Sequence, residues 1–333
     1  MKCIMYHYIR PCPEGLDFFR YLHIDHFRRQ LDWFAGTSRF VGRDEFFEAA
    51  AHGSDCEGVV LTFDDGFSDH HQWVLPELQA RGLWGFFFVP TATYRTGKLL
   101  DVHRIHVLLG RQGGVQMMKA LNSYARDGMF SHADVQEFRS TTYCQQDGDG
   151  ATLLFKRALN YYISHPRRAS TLDALMLDVF GDERKVAHNF YVQPEQIREM
   201  HNAGMVIGGH SVTHPVFSRL GTREQEAEIR DSLAFLQDVT GSPITTFCYP
   251  YGGFQTFTAD TERLLARNGC TLCFNVEPRD LTGADFSRRP LALPRYDCNL
   301  FPFGQASMGR KLAGESAGND NEPENNPAQT AQY

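Results

Sequence analysis

Short apolar runs alternate with amphipathic segments along most of this chain, and that alternation restricts the fold more than any other feature. The apolar runs are Cys3–Tyr6, Val59–Phe63, Phe86–Val89, Met205–Gly209, Ile244–Cys248, Leu272–Asn275 and Leu291–Leu293. Each is short enough to read as a strand. Between them, Ile24–Ala35 carries Phe27, Leu31 and Phe34 at helical spacing, and Glu195–Ala203, Arg223–Val239 and Thr258–Asn268 also read as helices. Strand–helix alternation predicts a parallel sheet covered by helices, an α/β fold. Seven such strands suit a distorted (β/α)7 TIM-like barrel with its active site at the C-terminal strand ends. An open doubly wound sheet is the alternative, and it obeys the same strand-end rule.

The run 97–190 breaks this rhythm. Helical stretches at Val102–Leu109 and Leu153–Ile163 flank a polar, Gly-rich piece at 145–150. It reads as a mostly helical insertion, a cap over the site. Residues 1–313 then form one domain containing that insertion. The stretch 314–333, rich in Gly, Asn, Glu and Pro, reads as a disordered tail.

Composition narrows the function classes. A length of 333 residues suffices for one large α/β domain or two small ones. A net charge of −7 without any basic run argues against nucleic acid as the partner. The longest apolar stretches, such as Leu83–Pro90, are far too short to cross a bilayer. Met1–Tyr8 lacks an apolar leader and a cleavage site, so a cytoplasmic protein is expected. The eight cysteines are scattered, and Cys3, Cys248 and Cys273 fall in strand runs. That pattern suits reduced, buried thiols. Cys270 and Cys273 have CxxC spacing, but no second pair accompanies them, which argues against a zinc or redox role.

The run Gly58–Leu61 leads directly into Thr62-Phe63-Asp64-Asp65-Gly66. Two adjacent carboxylates at the end of a buried strand are costly unless something cationic meets them. Far downstream, Gly208-Gly209-His210-Ser211-Val212-Thr213-His214 offers two imidazoles at i, i+4. One carboxylate and two histidines are a common metal-binding set, which leaves the other carboxylate free to act as a base on water. The mixed donor set suits zinc, cobalt, nickel or manganese better than calcium. The bland alternative is a polar turn or helix N-cap at Asp64–Gly66, with His210 and His214 on the surface.

TFDDG, HSVTH and Tyr249-Pro250-Tyr251-Gly252, in this order and spacing, resemble the polysaccharide deacetylases with NodB homology (carbohydrate esterase family 4). The resemblance spans 1–95 and 190–300. It implies that Asp65, His210 and His214 hold a divalent metal, zinc foremost, and that Asp64 is the general base. It further implies that the backbone N–H of Tyr251 steadies the oxyanion formed when water attacks an N-acetyl carbonyl. Pro250 would stiffen that turn, and Ser211 or Thr213 would orient the histidines.

Two departures stand out. Cys248 occupies the position where many relatives carry an Arg that contacts the base. The late Leu-x-His motif that supplies the general acid is absent; the matching region reads Leu291-Ala292-Leu293-Pro294-Arg295-Tyr296-Asp297. His7, ending the first strand, is the candidate acid, with a buried histidine bonded to backbone as its alternative. Arg295 is a candidate either to contact Asp64 in place of the missing Arg or to bind an anionic part of the substrate, against a plain surface ion pair.

Other residues carry weaker expectations. His103 and His106 could touch substrate from the cap, and His70 and His71 read as solvated capping histidines. Trp73, Trp84 and Phe86–Phe88 read as core. Tyr94 reads as a sugar platform or a plain loop residue. The expected function is a metal-dependent N-deacetylase of an acetamido sugar (nucleotide-linked, lipid-linked or in an oligosaccharide) in surface-polysaccharide or lipopolysaccharide assembly. The rivals are a hydrolase of another non-peptide amide on the same scaffold and a catalytically silent sugar-binding protein.

Overall fold

The computed structural model of the chain describes residues 1–124, 150–163 and 165–309. The expected tail at 314–333 and nearly all of the Gly-rich piece at 145–150 lie outside the described residues. Contacts divide the chain into two compact units. The first comprises 1–11, 22–96 and 188–306; the second comprises 12–21, 97–187 and the chain from Ser307.

The first unit is built on parallel strands β1 (Lys2–Tyr6), β4 (Val59–Phe63), β5 (Gly85–Val89), β6 (Val206–Gly209), β7 (Thr246–Cys248), β8 (Leu272–Phe274) and β9 (Tyr296–Asp297). The short strands β2 (Ile9–Arg10) and β3 (Arg20–His23) pair separately. The seven-stranded order is β8-β7-β6-β5-β4-β1-β9. One segment joins the two edges. Leu293 bridges to Phe274 of β8, and Tyr296 and Asp297 pair with Ile4 and Met5 of β1. The segment 293–297 therefore closes the sheet into the (β/α)7 barrel that the alternation predicts. The last strand sits a few residues later than the expected Leu291–Leu293. Pro294 has no N–H to donate, and it splits the pairing into a bridge at Leu293 and a strand at Tyr296.

Alternation along the strands sorts the core. Ile4, Tyr6, Leu61, Phe63, Phe87 and Phe247 pack into one cluster with the helices, among them Phe27, Leu31 and Phe34 of helix Ile24–Thr37. Cys3, Val60, Phe86, Phe88, Cys248, Phe274 and Leu293 pack into another. Phe46 and Phe286 complete this inner cluster; they come from two helices the sequence pattern does not reveal, Arg43–His52 and Gly283–Arg288. The parity that puts Val60, Cys248 and Leu293 inside also aims Asp64 and Arg295 inward. Three more first-unit helices lie where periodicity placed them, at Pro194–Asn202, Thr222–Thr240 and Ala259–Arg267.

Among its described residues the second unit is mostly helical, with one strand pair, β10 (Ser307–Met308) on Arg20 and Tyr21 of β3. Its long helix, Asp101–Tyr124, breaks at Gly113, where φ is 74°. That helix packs on Gly150–Arg157 and His165–Phe180. Arg104, almost fully buried, makes a bidentate pair with Glu183 at 2.7 Å on each arm and also reaches Asp173 at 2.8 Å. No helix among the described residues is long and apolar enough to cross a membrane.

Candidate active site

Strand ends supply the site. Asp64 and Asp65 follow β4, His210 follows β6, and Tyr249–Tyr251 follow β7. His7 follows β1, and Arg295 immediately precedes β9. In a parallel barrel the C-terminal ends of β1, β4, β6 and β7 share one face, and the Arg295 side chain reaches Asp64 from the segment before β9.

Asp64 is the last residue held in the ladder, its N–H donating to Tyr6 O at 2.9 Å. Its carboxylate meets Arg295 in a bidentate pair, both arms at 2.8 Å. Arg295 is completely buried and fully engaged. Nη1 also donates to Thr62 Oγ1 at 3.0 Å, Nε donates to the Asn275 carbonyl at 3.1 Å, and Nη2 lies 2.9 Å from Cys248 Sγ. Burial alone would raise the Asp64 pKa. The charge and hydrogen bonds of Arg295 outweigh it, with smaller help from His210 and His7, and bring the carboxyl to about 2. Burial pushes the Cys248 thiol up, against the pull of Arg295.

Asp65 points elsewhere. It leaves the strand with φ 75°, followed by Gly66 at φ 60°. Successive residues on a strand face opposite ways, so this left-handed turn lets both carboxylates serve one site. Asp65 Oδ1 lies 3.4 Å from Nε2 of both His210 and His214. Donor atoms of these three buried residues all lie within 4.8 Å of one another. His210 is oriented by its Nδ1, 2.7 Å from the Cys248 carbonyl. Asp64, His210 and Cys248 form an overlapping group of similar spread. The Arg295 guanidinium already occupies Asp64 and Cys248, and a second cation beside it would be repelled. Asp65, His210 and His214 are therefore the set that fits a divalent metal.

Strain gathers here. Asp65, Ser211, His214 and Tyr251 all have φ between 59° and 75°, and only Phe303 among the other described non-glycine residues has positive φ. Such residues cost on the order of 1 kcal/mol each and persist where surrounding structure fixes them. The Tyr251 ring lies 4.8 Å from that of His214.

The comparisons bear on this geometry. Residues 176–272 match the family model described as polysaccharide deacetylase. That window holds HSVTH and YPYG but not TFDDG. This chain resembles the polysaccharide deacetylases. In fold it is similar to the Streptococcus pyogenes deacetylase PplD in complex with acetate, at 16% identity, over 89% of this chain and 91% of that one, with TM-score 0.54. Weaker likenesses include IcaB from Ammonifex degensii (18% identity, 82% of each chain, TM-score 0.47) and the Bordetella bronchiseptica BpsB deacetylase domain (13% identity, 89% of this chain and 94% of that one, TM-score 0.47). No curated protein matches the chain by sequence.

The structure brings His7 within 4.0 Å of Asp65 Oδ2, and its side chain is 37% exposed rather than buried. Arg295 is no surface ion pair, and of its two expected partners it contacts Asp64. His70 is not solvated: it is wholly buried, Nε2 holds the His7 carbonyl at 2.9 Å, and burial lowers its pKa to about 4. His71, by contrast, pairs at the surface with Glu199 at 2.8 Å. Tyr94 is neither platform nor loop filler; its hydroxyl donates to Val192 O at 2.8 Å and its ring stacks on Phe235. His103 is buried within the second unit. Phe86–Phe88 are core, as expected, and Trp73 and Trp84 pack half-buried against it. The sequence pattern gives no signal for Glu228, whose carboxylate bonds to the 212–213 backbone.

Proposed function

We propose that this chain is a metal-dependent hydrolase that removes the N-acetyl group from an acetamido sugar. The observation that carries the reading is the division of the two adjacent carboxylates: Asp64 is locked to Arg295, and Asp65 is turned onto His210 and His214. The match of 176–272 to the polysaccharide deacetylase model supports it.

Asp65, His210 and His214 would hold the metal, zinc foremost, with cobalt, nickel or manganese as alternatives. When bound, it supplies Lewis-acid polarisation of the amide carbonyl and lowers the pKa of water. Asp64 accepts the proton of the attacking water. Arg295 keeps that carboxylate ionised and takes one lone-pair site on each oxygen; the Cys248 thiol takes a second on Oδ2, so acceptor capacity remains on Oδ1. The Tyr251 N–H, set by its positive φ, donates to the developing oxyanion. His7, half-exposed beside Asp65, delivers the proton to the departing amine.

The test is acetate release by purified protein from chitooligosaccharides, nucleotide-linked and lipid-linked acetamido sugars, before and after chelation. We expect release from at least one class, lost on chelation and restored by Zn2+ or Co2+. Turnover of cyclic amides or ureides alone would instead assign another amide hydrolase. Sugar binding without turnover would assign a silent binding protein.

A further inference from the structure

We propose that Glu228 is the positioning residue that sets the His210–His214 pair, and so governs metal affinity. The inference rests on the reading of Asp65, His210 and His214 as metal ligands. The two histidines are separated by Ser211, Val212 and Thr213, a loop with two strained positions, Ser211 at φ 63° and His214 at φ 59°. A loop that short holds such a conformation only if its backbone is fixed from outside.

Two edges fix it. On one, Ser211 and Val212 carbonyls accept the N–H groups of Thr91 and Ala92 at 3.2 and 2.9 Å, extending from the end of β5. On the other, Glu228 Oε2 accepts the successive N–H groups of Val212 and Thr213, both at 2.8 Å, while Oε1 accepts the Thr213 hydroxyl at 2.7 Å. Ser211 Oγ closes the loop on itself by accepting the His214 N–H at 3.0 Å. Charge-assisted bonds to a carboxylate are roughly twice as strong as neutral ones. Glu228 also stands on a firm base. Its helix, Thr222–Thr240, buries Ile229, Leu233 and Leu236 in the core beneath.

Glu228 acts through the loop rather than on the substrate. Its carboxylate takes both donors that the strained turn turns outward, and this sets how far apart and at what angle the imidazoles stand. Glutamine keeps one oxygen with two lone pairs for the two backbone N–H groups and an amide N–H for the Thr213 hydroxyl, so it removes only the charge, whereas alanine removes all three bonds.

The experiment uses the full chain and Co2+ alone, with no substrate. Equilibrium dialysis gives affinity, visible absorption reports the ligand geometry of bound Co2+, and thermal unfolding of the metal-free protein reports the fold. We expect Glu228→Ala to weaken Co2+ binding by roughly 10–100-fold and alter the spectrum, with metal-free unfolding shifted by only a few degrees. If that variant does not fold, Thr213→Val removes one of the three bonds and is expected to give a smaller loss in the same direction. Wild-type affinity and spectrum in both variants would overturn the proposal. So would a loss of affinity matched by an equal loss of metal-free stability, since that marks a general fold defect. A wild-type protein that binds Co2+ but releases acetate from no sugar would sink the functional reading and leave the Glu228 result to be judged on its own.

Discussion

Arg295 and Asp64 meet as two planar groups in register, Nη1 to Oδ1 and Nη2 to Oδ2, each at 2.8 Å, with both residues buried. The guanidinium arrives from the segment that closes the barrel. Cys248, at the end of β7, points at the same place, its Sγ 2.9 Å from Nη2 and 3.5 Å from Asp64 Oδ2. Side chains from two different strands thus converge on one point. A guanidinium entering from the position of Cys248 would therefore reach the same carboxylate.

That view makes a prediction. Arg295→Ala strips the partner from a buried carboxylate and is expected to destabilise the fold by about 3–5 kcal/mol. Acetate release should fall with it. Adding Cys248→Arg to that variant returns a guanidinium to the same carboxylate, so part of the lost stability and activity should return. Thermal unfolding and acetate assays of the single and double variants check this. A double variant no better than the single would show that the route of entry matters.

The two carboxylates should fail differently when each is neutralised. Asp64→Asn removes the base and should lower hydrolysis roughly 10²–10⁴-fold while Co2+ binding persists. Asp65→Asn should lose metal first, with activity following. Dialysis against Co2+ beside acetate release separates them, and equal metal loss in both variants would refute the division of labour.

Most of the candidate site is legible because its residues sit at strand ends in short local motifs. TFDDG and HSVTH announce themselves, and the strand–helix rhythm places them on one face of a barrel. What was illegible is what depends on three-dimensional neighbours. Arg295 could be drawn toward Asp64 only as one of several choices, since the barrel's closure by 293–297 is invisible in sequence. His70 reads as a capping residue from its place after TFDDG, yet packing buries it against Phe63 and Phe87 and hands it the His7 carbonyl. Glu228 lies mid-helix among other charges, and nothing local separates it from a solvated face.

Asp285 offers a pH test of the fold away from the candidate metal site. It accepts both arms of Arg279 at 2.9 and 2.8 Å and the Thr282 N–H at 2.8 Å, capping helix Gly283–Arg288. Burial alone would raise its carboxyl; the Arg279 and Thr282 bonds win and lower it to about 2. A depressed folded-state pKa contributes stability above the ordinary carboxylate value, and that contribution is lost as pH falls through about 4 toward 2. Asp285→Asn should therefore unfold at lower temperature than wild type at pH 6, and the gap should narrow steadily below pH 4. A gap that stays constant down to pH 2.5 would mean the carboxylate charge is not its source.

Gly66 is where geometry leaves least room. Its φ is 60°, and a Cβ there would come within 2.9 Å of Val89 Cγ1, in the buried end of β5. Its carbonyl is held by the Val192 N–H at 2.9 Å, so the turn cannot easily swing away. Gly66→Ala should cost about 1–3 kcal/mol through overpacking, plus roughly 1 kcal/mol for a left-handed alanine. Because Asp65 immediately precedes it, Co2+ affinity should fall further than stability alone would require. The two contributions can be separated. In Val89→Ala the clashing methyl is gone and the nearest remaining atom is Cβ at 3.4 Å, an ordinary contact. The double variant Gly66→Ala/Val89→Ala should then recover the part of the Co2+ affinity lost to the clash, and retain the part lost to backbone strain. Unfolding and Co2+ dialysis on all four members of that cycle decide the matter: strict additivity would show that Val89 is not what holds the Asp65 turn in place.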